Sequence, residues 1–176
     1  SNLKKNDILL AEMSSFQLDK IIDLKFNISI LLNLSKDHLE WHGGWNQYLD
    51  SKLKIFQNQD ENCFAIICID DKHSEKLAKN FNKNFKSKLI KISIKRKLID
   101  GIFLEEKEDK LVIVNNLNKT KIFIEKKRLL FTKAYHNYQN LLANYASCFL
   151  LKINNLSFLK STYKLKNLEH RLELVT

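Results

Sequence analysis

The sequence is poor in the residues on which several common functional sites depend. Its 176 residues include three glycines, Gly43, Gly44 and Gly101, and no proline. A Walker phosphate loop needs the pattern Gly-x-x-x-x-Gly-Lys-Ser/Thr, and a dinucleotide fingerprint needs three closely spaced glycines. Neither motif can be written with these glycines. Any nucleoside triphosphate chemistry must therefore take its phosphate loop from outside this sequence.

Cysteine is scarce, and long apolar runs are absent. Cys63, Cys68 and Cys148 form an odd set without a Cys-x-x-Cys pair, which indicates neither a disulfide framework nor a zinc site. No apolar run approaches the roughly 18 residues of a membrane-spanning helix, and the N-terminus has no signal-peptide pattern. We therefore expect a soluble protein of the reducing cytoplasm. Because the chain begins at Ser1 and its only methionine is Met13, we expect a start that was cut or processed.

Arginine is rare although the chain is strongly basic. The formal net charge is +10, but the arginines are only Arg96, Arg128 and Arg171. Nucleic-acid binding by clustered lysines is favoured when aromatic side chains lie among them to stack on bases. The lysine runs at 86–88 and 95–97 contain no such residues. We interpret the charge as a solvated surface, which leaves nucleic acid as the weaker alternative.

The hydrophobic pattern predicts one domain in which strands and helices alternate. Buried parallel strands are predicted at 8–11, 28–32, 63–69 and 88–94, with helices at 15–23, 45–57 and 74–81. This order is typical of an α/β fold, a mostly parallel sheet flanked by helices. A small antiparallel β meander is predicted from segments at 102–105, 111–114 and 121–125. Helices at 137–151 and 156–163 and a strand at 171–175 follow.

Polar residues follow three of the predicted parallel strands. Glu12 comes directly after the first, Asp37 and His38 lie beyond the second, and Asp70 and Asp71 end the third. Ligands of open α/β sheets bind outside the carboxyl ends of the strands. The pattern therefore indicates a ligand site, but strand ends that merely meet solvent would give the same pattern.

A lysine occupies an apolar position of the predicted helix 45–57. Trp45, Leu49, Lys52 and Phe56 share one helical face, so the pattern turns Lys52 inward. A buried ammonium group is costly unless it is paired or neutralised. Either Lys52 extends its charge to the edge of the face, which periodicity alone favours, or it lies near carboxylates or a metal or is chemically modified.

Two histidines four residues apart offer a weaker signal. His38 and His42 have Asp37 and Glu40 nearby, and their imidazoles would share a face if the segment were helical. The spacing matches no known zinc motif, so a single ligand to a hard metal ion is the better interpretation.

Six segments together resemble the Mur ligase family. They are EMSSFQL at 12–18, LNLSKDHL at 32–39, YLDSK at 48–52, DD at 70–71, HNYQN at 136–140 and HRLE at 170–173. They occur in family order and at family-like spacing over nearly the whole chain. The resemblance implies an ATP-dependent amide ligase of peptidoglycan synthesis. Such an enzyme would add D-glutamate to UDP-N-acetylmuramoyl-L-alanine through an acyl phosphate.

The resemblance also implies roles for individual residues. Glu12 and His38 would be magnesium ligands, and Lys52 would be carbamylated to supply an anionic ligand to a second magnesium ion. Lys52 and His38 would thereby be the catalytic pair. Ser14 and Gln17 would approach the muramoyl substrate. The nucleotide would lie along Asn137, Asn140 and Arg171, with His136 supporting that turn.

The sequence departs from the family pattern in ways that limit its function. The phosphate loop and two further family domains, N-terminal and C-terminal, have no counterpart in residues 1–176. We therefore interpret the chain as part of a central ATP-binding domain that is inactive alone. Ala134 replaces a usual glycine and Cys68 a common asparagine. The alternative is a degenerate stand-alone binding or structural module, and the oligomeric state is not predicted.

Overall fold

The computed structural model describes residue 4 and residues 7–36, 39–131 and 134–166. The helices are α1 (Ser15–Asp19), α2 (Leu39–His42), α3 (Trp45–Gln57), α4 (Lys72–Asn84), α5 (Tyr135–Leu150) and α6 (Asn155–Thr162). The strands are β1 (Ile28–Leu31), β2 (Phe64–Cys68), β3 (Lys88–Ser93), β4 (Gly101–Glu106), β5 (Lys110–Asn115) and β6 (Thr120–Glu125). Within the described ranges, no helix is both long and apolar enough to cross a membrane.

The six strands form one sheet in the order β1-β2-β3-β4-β5-β6. The pairs β1–β2, β2–β3 and β3–β4 are parallel, and β4–β5 and β5–β6 are antiparallel. The predicted α/β architecture with an antiparallel meander is therefore confirmed. The meander is a continuation of the parallel sheet, since β4 belongs to both parts.

Helices cover both faces of the sheet because alternate side chains of each strand point to opposite sides. On one face, Ile66 of β2 packs in a cluster with Tyr145 of α5. On the other, Ile67 packs with Phe56 of α3 and Phe81 of α4, whose ring centroids lie 5.3 Å apart, edge to face. Burial of such aromatic rings contributes several kcal/mol each, which makes these two clusters the main source of stability.

The parallel pairing of β3 with β4 is unusual because only the short link 94–100 joins them. Parallel strands normally need a long crossover that returns the chain to the start of the neighbouring strand. Here Gly101 is already opposite Lys91, near the end of β3, so the chain turns back over a short distance. A Cβ atom on Gly101 would lie 2.6 Å from the Lys91 carbonyl oxygen, so this close approach requires glycine.

The strand predicted at 8–11 is wrong. These residues lie in an irregular segment, and Ile8, Leu9 and Leu10 are 66%, 75% and 88% exposed. A strand is stable only where a neighbouring strand supplies hydrogen bonds, and this segment pairs with no described strand. An apolar run alone was therefore not enough to predict a strand. The helix predicted at 15–23 ends at Asp19. The strand predicted at 171–175 lies outside the described residues.

Candidate functional site at the carboxyl ends of the parallel strands

Two consecutive aspartates connect the carboxyl ends of the first three strands. Asp71 Oδ2 accepts a hydrogen bond from the backbone N–H of Leu34, beyond β1, at 3.3 Å. Asp70 accepts from the Ser93 hydroxyl at the end of β3 and, at 3.0 Å, from the backbone N–H of Ile94. The ends of β1, β2 and β3 therefore lie together, but protein donors already occupy both carboxylates. Of the polar groups predicted to meet at strand ends, Asp70 and Asp71 are confirmed at this edge, and Asp37 and His38 lie outside the described residues.

Asp71 also begins α4. Its Oδ1 atom accepts from the backbone N–H groups of His73 and Ser74 at 2.9 and 2.8 Å, which makes Asp71 the N-cap of the helix. A carboxylate at this position satisfies helix N–H groups and interacts favourably with the helix dipole. The local sequence therefore explains Asp71 without a ligand.

A buried network extends from Asp70 to α5. The Cys68 thiol donates to Asp70 Oδ2 at 3.2 Å, and the Gln139 side-chain amide donates to Cys68 Sγ at 3.3 Å. Burial raises the pKa of Asp70, but hydrogen bonds from Ser93, Ile94 and Cys68 outweigh it, so the pKa lies below its usual value. Burial and the adjacent Asp70 charge raise the pKa of Cys68 to about 12. A thiol that stays protonated is a poor nucleophile.

Sequence reasoning missed Ser93 and Gln139, both of which are buried polar residues. Each lies inside an apolar pattern, Ser93 at the end of a strand and Gln139 on the buried face of a helix. A polar residue at such a position needs a hydrogen-bond partner, which was the available signal.

The start of α5 lies at the same edge of the sheet, because Gln139 in its first turns contacts Cys68. Of the predicted nucleotide residues, His136 and Asn140 are exposed and Asn137 is half-buried. The N-cap residue Ala134 makes no side-chain hydrogen bond to this helix. Its φ of −91° is a backbone conformation that any residue can adopt, so the turn does not need the glycine that is usual in the family. Arg171 lies outside the described residues.

Lys95 brings a positive charge to the start of α5. Its Nζ atom lies 4.9 Å from the ring centroid of Tyr135 and donates to the Asp70 carbonyl oxygen at 3.3 Å. A hydrogen bond with Tyr135 raises the pKa of Lys95. The sequence pattern assigned Lys95 to a solvated lysine run. Its place directly after β3 was the signal that distinguished it from that run.

The predicted substrate residues Ser14 and Gln17 form a capping box at the start of α1. Ser14 Oγ accepts from the Gln17 N–H at 3.2 Å, and Gln17 Oε1 accepts from the Ser14 N–H at 2.9 Å. This arrangement uses acceptor groups only. The capping box leaves the Ser14 hydroxyl proton and the Gln17 side-chain NH₂ group unused and holds both groups in one orientation. Both side chains are exposed. Donors of this kind suit an anionic or carbonyl-bearing ligand.

Lys52 is half-buried on α3, on the same face as the fully buried Phe56. The inward direction predicted for it is therefore correct, although the side chain is not enclosed. Its Nζ atom lies 6.0 Å from the Tyr48 ring centroid and forms no ion pair with a described carboxylate. A cationic ammonium group cannot coordinate a metal cation, so Lys52 fits a magnesium site only as a carbamate.

The described residues include only part of the other proposed magnesium ligands. Glu12 is exposed in the irregular segment before α1, and His38 lies outside the described residues. Among the residues that are described, no three metal-ligating side chains come together. The carboxylate of Glu12 is a hard oxygen ligand of the kind that magnesium binds. Its position depends on residues 8–11, the irregular segment that precedes it.

His42 contributes no free nitrogen to a metal site. It is buried on α2, with Nε2 at 2.9 Å from Ser15 Oγ and Nδ1 at 3.4 Å from Ser51 Oγ. His42 is therefore not the single hard-ion ligand expected among these residues, and His38 lies outside the described residues.

An open sheet covered by helices on both faces, with polar groups gathered at the carboxyl ends of its parallel strands, defines an α/β domain of the class in which ligands bind at this edge. The profile of the Mur ligase middle domain matches residues 2–148, and the chain belongs to that family. It is 32% identical over 96% of its length to a UDP-N-acetylmuramoylalanine–D-glutamate ligase of Natranaerobius thermophilus. It is 30% identical over 97% to the enzyme so named in Rickettsia prowazekii.

The chain spans about a third of the length of these relatives, 35% and 36% respectively. Solved structures confirm the fold. A UDP-N-acetylmuramoyl-L-alanyl-D-glutamate–2,6-diaminopimelate ligase is 22% identical with a TM-score of 0.71, and the match covers 93% of this chain and 34% of that one. A MurF ligase from Thermotoga maritima, in complex with ADP, is 16% identical with a TM-score of 0.58 over 82% of this chain and 31% of its own.

Proposed function

We propose that this chain is part of the central ATP-binding domain of a ligase that joins D-glutamate to UDP-N-acetylmuramoyl-L-alanine in peptidoglycan synthesis. The observation that carries the proposal is the identity of about a third, over nearly the full chain, to ligases named for that reaction. The phosphate loop would come from sequence outside this chain, because three glycines cannot supply it.

ATP would lie at the start of α5. Asn137 and Asn140 would hold the nucleotide through their amide groups, Arg171 would pair with it, and His136 would support the turn. The charged Lys95 beside Tyr135 would favour a polyphosphate at the same edge. The fold shared with a ligase crystallised with ADP supports a nucleotide at this domain.

Glu12, His38 and carbamylated Lys52 would hold magnesium. Bound magnesium would neutralise and orient the phosphates during transfer. The carbamate would also remove a half-buried cation from α3, which lowers the cost of its position. Ser14 and Gln17, held by their capping box, would donate hydrogen bonds to the muramoyl substrate.

The reaction would proceed in two transfers. The substrate carboxylate oxygen attacks the γ-phosphorus of ATP, and the bond between that phosphorus and the bridging oxygen of the β-phosphate breaks. ADP departs, and the product is an acyl phosphate. The amine of D-glutamate then attacks the acyl carbon, and the tetrahedral intermediate expels inorganic phosphate and loses a proton. The residues of this chain would bind and orient ATP and the muramoyl substrate. Positioning of the reactants is the main catalytic contribution in phosphoryl transfer.

The test begins with the complete reading frame that encodes this chain. We expect a Gly-Lys-Ser/Thr loop upstream, and phosphate release by the encoded polypeptide that requires ATP, UDP-N-acetylmuramoyl-L-alanine and D-glutamate together. A stop codon in place of the loop, or a folded polypeptide that releases no phosphate, would favour the stand-alone module. Calorimetry of the isolated chain with Mg-ATP should detect no turnover.

Carbamylation of Lys52 is tested separately in that polypeptide. With ¹³C-bicarbonate and magnesium we expect one carbamate carbon resonance that is lost in Lys52→Ala and kept in the control Lys54→Ala. Lys54 lies on the same helix but pairs with Asp19. An active polypeptide with unmodified Lys52 would contradict this role.

A further inference from the structure

His42 is enclosed by aromatic rings and by two serines from neighbouring helices. Its side chain is stacked on Phe16, with ring centroids 5.5 Å apart and planes at 13°, and meets Trp41 and Tyr48 edge to face. Its two ring nitrogens contact hydroxyl groups of different helices, Ser15 on α1 and Ser51 on α3. Packing alone would be satisfied by a phenylalanine, so the two polar contacts need a separate explanation.

The protons of this cluster can be assigned by counting donors. Ser51 has one hydroxyl proton, and its other neighbours are the Asp19 carboxylate at 3.1 Å and the Gln47 carbonyl oxygen at 2.9 Å. Both of these groups are acceptors only, so the single Ser51 proton goes to one of them. Ser51 Oγ must then accept from His42, which places the proton on Nδ1.

The other side of the ring follows from this assignment. A neutral imidazole with its proton on Nδ1 has a lone pair on Nε2. Nε2 therefore accepts the hydroxyl proton of Ser15, which is buried and 2.9 Å away. The resulting chain of donors runs from Ser15 through His42 to Ser51, whose proton goes to the Gln47 carbonyl oxygen or to Asp19, where Lys54 Nζ also donates at 2.9 Å. Every member points in one direction, so the chain defines one tautomer.

We propose that His42, as the neutral Nδ1–H tautomer, is a positioning residue that fixes the start of α1 against α3. This inference rests on the proposed function, because its purpose is to hold two parts of that site together. Ser15 follows the predicted substrate residue Ser14, and Ser51 precedes Lys52. A rigid link between the two serines fixes the capping box of Ser14 and Gln17 relative to Lys52.

The tautomer is tested in the isolated chain by long-range ¹H–¹⁵N correlation with ¹⁵N-labelled histidine. The His42 signals are assigned as those lost in His42→Phe. We expect a protonated Nδ1 and an unprotonated Nε2 at neutral pH. Ser51→Ala should move the proton to Nε2. Ser147→Ala should leave His42 unchanged, since the Ser147 hydroxyl donates to the Ala143 carbonyl oxygen of its own helix and has no other hydrogen bond among the described residues. An Nε2–H tautomer, an imidazolium, or equal responses to both variants would overturn the proposal.

The positioning role is tested by amide hydrogen exchange of Gln17, whose N–H is held by Ser14 Oγ. His42→Phe keeps the ring packing and removes both hydrogen bonds. We expect the Gln17 amide to exchange roughly tenfold faster in this variant, with partial recovery in His42→Gln and no change in Ser147→Ala. Unchanged exchange in a folded His42→Phe chain would overturn the role.

In the polypeptide of the complete reading frame, His42→Phe should raise KM for the muramoyl substrate roughly tenfold and leave KM for ATP unchanged. If wild type has activity and both constants are unaltered, the positioning proposal fails while the proposed function stands. If wild type has no ligase activity, the proposed function fails, and the tautomer and Gln17 exchange still decide the role of His42.

Discussion

The Ser93 hydroxyl donates its only proton to Asp70, and the backbone requires this direction. Ser93 Oγ already accepts from the N–H groups of Lys95 and Arg96 at 3.1 and 3.0 Å. Asp70 must therefore be an acceptor, and it holds the ends of β2 and β3 together as an ionised carboxylate.

Replacing Asp70 with Asn should destabilise the chain by about 2 kcal/mol. An amide NH₂ group would have to face either the Ile94 N–H or the Ser93 oxygen, which already has two donors. Urea unfolding at neutral pH measures the loss. Asp23→Asn is the matched control, since that exposed carboxylate makes no hydrogen bond within the described residues. Equal stability of the two variants would contradict the argument.

The same carboxylate makes stability depend on pH. Burial raises the pKa of Asp70, but the hydrogen bonds it accepts lower it further, so the net shift is downward. Its contribution is therefore complete above the unfolded pKa near 4 and is lost as pH falls through the folded pKa. Urea midpoints of wild type and Asp70→Asn should converge progressively as the pH falls below about 4. A constant difference at every acidic pH at which the chain folds would show that the charge is not responsible.

Asp71 should act through its capping geometry more than through its charge. Asp71→Ala removes the acceptor for three backbone N–H groups and should cost about 1–2 kcal/mol. Asp71→Asn keeps an oxygen for the two helix N–H groups but turns its NH₂ group toward the Leu34 N–H, so its loss should be smaller than that of Asp71→Ala but not negligible. Chemical denaturation compares the two variants, and a larger loss for Asn than for Ala would refute the capping role.

Gly101 should be intolerant of even one added methyl group. A Cβ there would meet the Lys91 carbonyl oxygen at 2.6 Å and the Leu98 side chain at 2.8 Å. Gly101→Ala should destabilise by about 1–3 kcal/mol, as overpacked sites do. The added mutation Leu98→Ala should not restore stability, because the backbone contact remains. Full recovery in the double variant would place the strain at Leu98 instead.

The three cysteines should differ in reactivity. Burial and the Asp70 charge raise the pKa of Cys68 to about 12, and its side chain is inaccessible. Burial also raises the pKa of Cys148, but that residue is only half-buried. Mass spectrometry after brief iodoacetamide treatment should find Cys148 labelled first, with Cys63 and Cys68 protected. Labelling of Cys68 in the folded wild type as fast as that of Cys148 would contradict this order.

The helices and strands whose partners are close in sequence were predicted well. The helix α3 has the predicted bounds, and β4, β5 and β6 lie within a residue or two of the predicted segments. Their apolar periodicity is strong, and each packs on neighbours close in sequence. Residues 8–11 have an equally apolar pattern but no pairing strand in the structure, and pairing cannot be read from a local pattern.

The sequence predicted several residues of the candidate site but not the hydrogen bonds that these residues make. The convergence of Asp70 with the end of β3 follows from parallel topology, which the order of elements predicts. The partners that engage it, Ser93 and Gln139, could not be predicted because side-chain hydrogen bonds depend on register and helix rotation. The capping box at Ser14 and Gln17 was visible as Ser-x-x-Gln in the sequence.

The order of strands in the sheet matches their order along the chain from β1 to β6. Among the described strands, each new strand therefore docks on one that has already been synthesised, and none waits for a partner that is made later. Short sequence separation between pairing strands lowers the entropy lost in bringing them together. The sheet can grow in one direction while the chain leaves the ribosome, with α3 and α4 covering one face before α5 is made to cover the other.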